Sequence, residues 1–392
     1  MTRKGVWNLQ QVRDKYLQSL WSNDTHLFAW GSNGAGNLGL NNGPAAKRSS
    51  PTQVVGTGGW VSLGTNGQTN RGAIAGVKED GTLWTWGQNY RGQLGVNSTT
   101  YHSSPIQIPG TTWAHISMGP HALAVKTNGT LWSWGDNGNG QQGVNDVIVR
   151  SSPVQIGSAT DWDKSSKFKL TNGYDRSYAI KTDGTLYTWG FNQNGELGLN
   201  NRTHYSSPVQ IPGTTWNLIS SDQSMTFAIK TDGTLWSWGR NEYHGGLGHN
   251  NRTEYSSPTQ IPGTDWRNIW SGQYNTIATK TDNTIWVWGV NDRGQFGLNF
   301  NAKRSSPTQI PGTDWSNGVI DENTAIYRKT DGTLWGAGLN SQGQYGWPDL
   351  PPNGSASWRS SPIQLPGTWG EEMTCGDGSF FATKNPLTPS QL

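Results

Sequence analysis

Short strand-like runs, bounded by Gly, Pro, Asn and Asp, recur at a fixed spacing along nearly the whole chain. The clearest copy is residues 230–239, KTDGTLWSWG, and near-copies lie at 126–135, 181–190 and 280–289. Looser copies occupy 78–87 and 329–338, and a half copy opens the array at 27–31, LFAWG. The tryptophan of the Trp-Gly pair falls at Trp30, Trp86, Trp134, Trp189, Trp238 and Trp288, with Ala337 in the seventh copy, so the steps are 56, 48, 55, 49, 50 and 49 residues. A fixed period of this size dictates a repeat architecture.

Each repeat predicts the same parts. In the third, residues 113–118, 122–126 and 130–134 read as three strands, and Asn128-Gly129 joins the last two. Asn-Gly and Asp-Gly between strand-like runs predict hairpins with type I′ turns. After Trp-Gly comes a polar, glycine-rich loop, such as residues 89–95, NYRGQLG. A Ser-Ser-Pro segment follows, with prolines at Pro51, Pro105, Pro153, Pro208, Pro258, Pro307 and Pro362. Proline cannot donate to a sheet ladder, which predicts an edge strand.

The predicted fold class is therefore all-β: a seven-bladed β-propeller with about four strands per blade. The first unit has 27–31 but no strand before it, and the last ends at 380–384, FFATK, with no Trp-Gly strand after it. Pairing of these two segments would complete one shared blade and remove the free edges. The expected divisions are 1–24, 25–385 for the propeller and 386–392 as a tail. Of the 23 tryptophans, 18 fall in repeat positions, which assigns them to packing within and between blades.

Residues 1–24 stand outside the repeat. Val6, Trp7, Leu9, Val12, Tyr16 and Leu20 outline the apolar side of a short amphipathic helix, roughly residues 7–21. A helix this short is marginal alone and wants a partner surface: the propeller, a second copy of itself, or another protein.

Composition narrows the function classes. A net charge of +3 without a basic tract argues against nucleic acid as a partner. No apolar window reaches ~18 residues, so no membrane insertion is expected. The seven histidines lack metal-ligand spacing. Cys375 has no histidine near it in sequence, and the Asp-Gly aspartates read as turn residues. No catalytic residues, metal or cofactor are expected.

One pattern suits binding. The residue before each Ser-Ser-Pro is Arg48, His102, Arg150, Tyr205, Tyr255, Arg304 or Arg359. Equivalent positions in a propeller form a ring, and Arg, His and Tyr suit anionic sugars or carboxylates. The competing reading is that each residue pins its own loop to a neighbouring blade.

Residues 86–95, WGQNYRGQLG, carry the motif Trp-Gly-x-Asn-x-x-Gly-Gln-Leu-Gly, which resembles the repeat of the regulator-of-chromosome-condensation family over residues 27–384. The resemblance implies a seven-bladed propeller that offers loops to another macromolecule. Members include a nucleotide exchange factor, an ultraviolet-B receptor and a β-lactamase inhibitor. The receptor's Gly-Trp-Arg-His-Thr signature has no copy here. Residues 5–9, GVWNL, followed by Val12-Arg13-Asp14, resemble the opening of virion structural proteins of marine tailed phages. That resemblance implies a non-enzymatic tail fibre, spike or appendage, assembled in the host cytoplasm into the virion. Residues 1–24 would contact other virion proteins, and the propeller face would meet a glycan or protein on the host surface. The alternative is a soluble, host-directed interaction or inhibitor module.

Overall fold

The computed structural model describes residues 25–43, 46–56, 58–64, 72–242, 245–346 and 358–384. The predicted N-terminal helix with Val6, Trp7, Leu9, Val12, Tyr16 and Leu20, and the tail 386–392, lie outside the described residues.

The described strands form seven four-stranded antiparallel sheets. Numbered from the blade that contains the first strand, the innermost strands are Met373–Gly376, Trp60–Gly64, Trp113–Met118, Leu170–Asn172, Trp216–Ser221, Trp266–Ser271 and Trp315–Ile320. Each packs against the next, and the seventh against the first, so the blades close a ring. Within blade 3 the order from axis to rim is Trp113–Met118, His121–Lys126, Leu131–Gly135 and Arg150–Gln155. The Ser-Ser-Pro segment is the outermost strand in every blade, where a missing N–H is harmless.

Blade 1 is shared between the chain ends. His26–Gly31 pairs with Ser379–Lys384 in six registered positions, from His26 opposite Lys384 to Gly31 opposite Ser379. The predicted closure of 27–30 on 380–384 is thus the observed one. Two strands from each end build the sheet.

The hairpins differ from the predicted type I′. Gly81, Gly129, Gly184, Gly233 and Gly332 have positive φ, but the Asp or Asn before each does not. Gly81 N–H bonds to Lys78 O at 2.9 Å and Lys78 N–H to Thr82 O at 3.0 Å. This is a three-residue loop: a type I turn followed by a left-handed residue. The aspartate explains the choice. Asp80 Oδ1 accepts from Thr82 N at 2.9 Å and Thr82 Oγ1 at 2.6 Å, and Thr82 Oγ1 accepts from Trp84 Nε1 at 2.9 Å. The two threonine bonds hold the Asp80 carboxyl below its usual range. The relay repeats through Thr130, Thr234, Thr284 and Thr333 to Trp132, Trp236, Trp286 and Trp335.

The Trp-Gly tryptophans join neighbouring blades. All six are at most 1% exposed. Trp86, Trp134, Trp189 and Trp238 donate Nε1 to the backbone oxygens of Asn37, Gln93, Gln141 and Glu196 in the preceding blade, at 2.7–2.9 Å. Trp30 does the same across the seam, to Gln344 at 2.7 Å. Blade 7 carries Ala337 instead, and there the Tyr327 hydroxyl donates to Gln295 O at 2.7 Å, so a tyrosine on the neighbouring strand supplies the missing donor. A loop glycine of the preceding blade seats each indole. A Cβ on Gly95 would lie 2.6 Å from Trp134 Nε1, and Gly95 has φ +72°. Only glycine meets both demands.

Candidate functional site

The two ends of each blade make two chemically different faces. On the turn face lie the Asp-Gly hairpins, the Pro-Gly-Thr turns and the seam position His26 opposite Lys384. On the loop face lie the Trp-Gly loops and the turns between first and second strands.

The seven rim residues occupy equivalent places, one per blade, on the loop face. Arg48, His102, Arg150, Tyr205, Tyr255 and Arg304 each open an outermost strand opposite the glycine of Trp-Gly, and Arg359, second in its strand after Trp358, lies opposite Gly338 of Ala337-Gly338. Arg150 grips Asp146 through two bonds of 2.9 and 2.6 Å, which push the Asp146 carboxyl down to about 2. The Tyr205 and Tyr255 hydroxyls accept from Asn201 and Asn251 at 3.2 and 3.1 Å. Arg304 lies 4.2 Å from the centre of the Phe300 ring. Arg48 donates to Lys47 O at 3.3 Å, and the Arg359 backbone N–H to Tyr345 Oη at 3.1 Å. These contacts, given for six of the seven residues, each stay within one blade and do not tie a loop to its neighbour. The half-buried or exposed polar ends still line the rim.

Blade 4 departs most from the repeat. Arg176 and Glu196 form an ion pair at 3.4 Å, with side chains 3% and 1% exposed. In blade 2 the same two places hold Ala73 and Gln93. Arg176 Nη1 also donates to Gln223 O. Beside this pair a cleft of about 340 Å³ opens on the loop face, walled by Tyr174, Phe191, Arg240 and Tyr274. Sequence reading missed this cleft, because its walls come from three repeats and carry a different residue type in each.

Blade 4 also carries an insertion. Leu170 lies eight residues after Trp162, whereas Ile219 lies three after Trp216. The extra residues form a short 3-10 turn, Lys167–Lys169, on the turn face. Lys167 Nζ reaches Glu372 of blade 1 at 2.7 Å, and Phe168 meets Trp270 of blade 6 edge-on at 5.8 Å. The turn lies over the inner strands and leaves beneath it a cavity of about 80 Å³, lined by Ile116, Ile219, Ile269 and Ile320 and by Ser117, Ser220 and Ser271 among others. The only sequence signal was the long step from Trp134 to Trp189.

Two buried carboxyls cap turns on the loop face. Asp222 Oδ1 accepts from Ser224 N and Met225 N at 2.9 Å, and burial raises its pKa to about 7. Asp321 does the same in blade 7, at about 6. A raised folded pKa means that the native state holds the proton longer than the unfolded chain. Stability therefore falls as pH rises from about 4 to about 7, then levels. Asp222→Asn is expected to flatten that slope in urea titrations across this window; an unchanged slope would refute the assignment.

Among the described residues no group of three or more His, Cys, Asp or Glu could hold a metal ion. Burial pushes the Cys375 thiol well above its usual value, which keeps it protonated and unreactive. No helix among the described residues is long and apolar enough to cross a membrane.

The family model described as "Regulator of chromosome condensation (RCC1) repeat" matches residues 80–124, 183–228 and 232–279, and a second model of that description matches 121–141. Residues 80–141, 183–228 and 232–279 thus match RCC1 repeats. The ultraviolet-B receptor UVR8 of Arabidopsis thaliana is 27% identical over 189 residues, which is 48% of this chain and 30% of the receptor. Among solved structures, human WBSCR16 matches at a TM-score of 0.78 and 20% identity, covering 93% of this chain and all of that one. Yeast RCC1 (Prp20) bound to Kap60 matches at 0.78 and 17% identity over 94% of this chain and 90% of that one. Prp20p of Saccharomyces cerevisiae, described with its binding to Gsp1p and histones, matches at 0.77 and 17% over 98% and 97%. These structures share the RCC1 propeller fold with this chain.

Proposed function

We propose that this RCC1-repeat propeller is a non-enzymatic binding module displayed on a phage virion, as a tail fibre, spike or appendage. Residues 1–24 would dock on other virion proteins, and the loop face would contact a glycan or protein on the host surface. The observation that carries this reading is the placement of the seam. The chain enters the ring at His26, on the turn face, while the rim residues and the blade 4 cleft look out from the loop face. A disc tethered from one side would thus present the other. The resemblance of residues 5–14 to virion proteins supports the particle as its location. Weak single contacts would be multiplied by the copies on one particle.

A second reading, a soluble host-directed interaction module, is favoured by the yeast relative solved with Kap60. Mass spectrometry of purified particles separates the two. The first reading expects the full-length chain in the particle and its loss when residues 1–24 are deleted. Absence of both forms from particles, with soluble accumulation in infected cells, would favour the second.

The rim residues have their own test. Arg48→Ala and Arg304→Ala are expected to weaken adsorption of particles to host cells with the melting temperature kept within ~2 °C, since substitutions at the rim, outside the packed core, change stability by about 0.5 kcal/mol. Lower melting with unchanged adsorption would assign these arginines to loop pinning alone.

A further inference from the structure

Every blade holds a lysine between two aromatic rings, at the end of its second strand. Lys230 lies 4.8 Å from the centre of the Trp216 ring and 4.3 Å from that of Trp236. Lys126 lies 4.6 and 4.0 Å from Trp113 and Trp132. The rings fix the ammonium in place but accept no ordinary hydrogen bond from its three N–H donors.

What completes the sandwich differs among blades at one position, the residue before the Pro-Gly-Thr tryptophan. Asp161, Asp265 and Asp314 pair with Lys181, Lys280 and Lys329 at 3.1, 3.0 and 2.9 Å. Blades 3 and 5 have Thr112 and Thr215 there. The backbone does not change with this substitution. Thr231 N–H bonds to Thr215 O at 2.9 Å, just as Thr281 N–H bonds to Asp265 O at 3.0 Å. Among the described residues neither Lys126 nor Lys230 forms an ion pair with a carboxylate, so each is a pre-positioned cation without the anion that Lys181, Lys280 and Lys329 have.

In blade 5 this cation faces a groove of about 400 Å³ between the rims of blades 4 and 5. The half-buried Trp236 ring and Pro212 give the groove its apolar surface, and the exposed Asn200 and Gln210 bring amides to it. A flat apolar wall, amides at the edge and one cation match a particular ligand shape. A pyranose ring stacks its C–H face on an indole and turns its hydroxyls to amides, and a carboxylate on that ring would meet the ammonium through charge-assisted hydrogen bonds.

We propose that the rim groove of blade 5, and its repeat equivalent at Trp113, Lys126 and Trp132 in blade 3, bind a carboxylate-bearing sugar, with the lysine as carboxylate ligand and the tryptophan as stacking platform. The proposal goes beyond the reading above, because these lysines lie at the rim toward the turn face, not on the loop face. It needs only the purified chain, so its failure would leave the particle test untouched.

The repeat supplies the test. Methyl β-glucuronide is titrated into the full chain, with methyl β-glucoside and acetate as the neutral and sugar-free counterparts. Binding is followed by calorimetry and by saturation-transfer NMR. Glucuronide is expected to bind at least about tenfold more tightly than either counterpart. Thr112→Asp with Thr215→Asp copies the arrangement of blades 4, 6 and 7, so the ring should melt as before. It should lower the number of glucuronides bound per chain by two. Asp265→Thr should raise that number by one. Unaltered stoichiometry in both variants would overturn the proposal. So would acetate binding as tightly as glucuronide, which would mark a bare anion site, or no binding of glucuronide at all.

Discussion

A chain that ends at Asp377 is expected to lose the whole ring cooperatively. The deletion removes Ser379–Lys384, which lies between Met373–Gly376 and His26–Gly31 and pairs with both. It takes away Phe380 and Phe381, each 1% exposed, and uncovers Leu27, Ala29 and Trp30. Burial of one large apolar side chain contributes about 1.5–3 kcal/mol, so Phe380, Phe381, Leu27 and Trp30 together reach the ~5–15 kcal/mol that holds a typical protein folded. Two unpaired strand edges would also be exposed and would favour aggregation. Thermal melting followed by circular dichroism and size-exclusion chromatography checks this. A truncated chain that melts like the full one would show that the other six blades stand without the seam.

The second large effect is expected at Arg176. Replacing it with alanine leaves Glu196 buried at 1% exposure without its cation. Breaking a buried pair from one side costs about 3–5 kcal/mol. The further change Glu196→Gln gives blade 4 the Ala and Gln that blade 2 uses at Ala73 and Gln93, and should recover most of the loss. A double-mutant cycle in urea measures the coupling. If Arg176→Ala costs under about 1 kcal/mol, or if the second change recovers nothing, the pair is not what holds the blade 4 cleft in shape.

The periodic parts of this molecule were legible because the repeat states them seven times. Blade number, the seam, the edge position of the prolines and the burial of the Trp-Gly indoles all follow from spacing and strand chemistry. The turn type was not legible, since the Asp80–Thr82 hydrogen bonds that select it compete with the type I′ preference of Asp-Gly. The lysine sandwich was hidden in plain spacing. Lys230 and Trp236 belong to one hairpin, but Trp216 comes from the strand before it, and only the sheet register brings all three together. The single-copy features were least legible. The Lys167–Lys169 turn and the Arg176–Glu196 pair each occur once, so no periodicity announces them. The rim residues sit one per blade, and Arg150 and the two tyrosines spend their polar groups on their own loops.

The two-plus-two seam has a mechanical consequence. A pull on residue 25 runs along His26–Gly31, a strand bonded on both sides, to Arg48–Gln53 and to Ser379–Lys384. The force therefore shears both ladders at once, and the bonds cannot open one after another as in a zipper. A ring stitched in this way resists traction at its entry point better than one whose terminal strand lies at the rim.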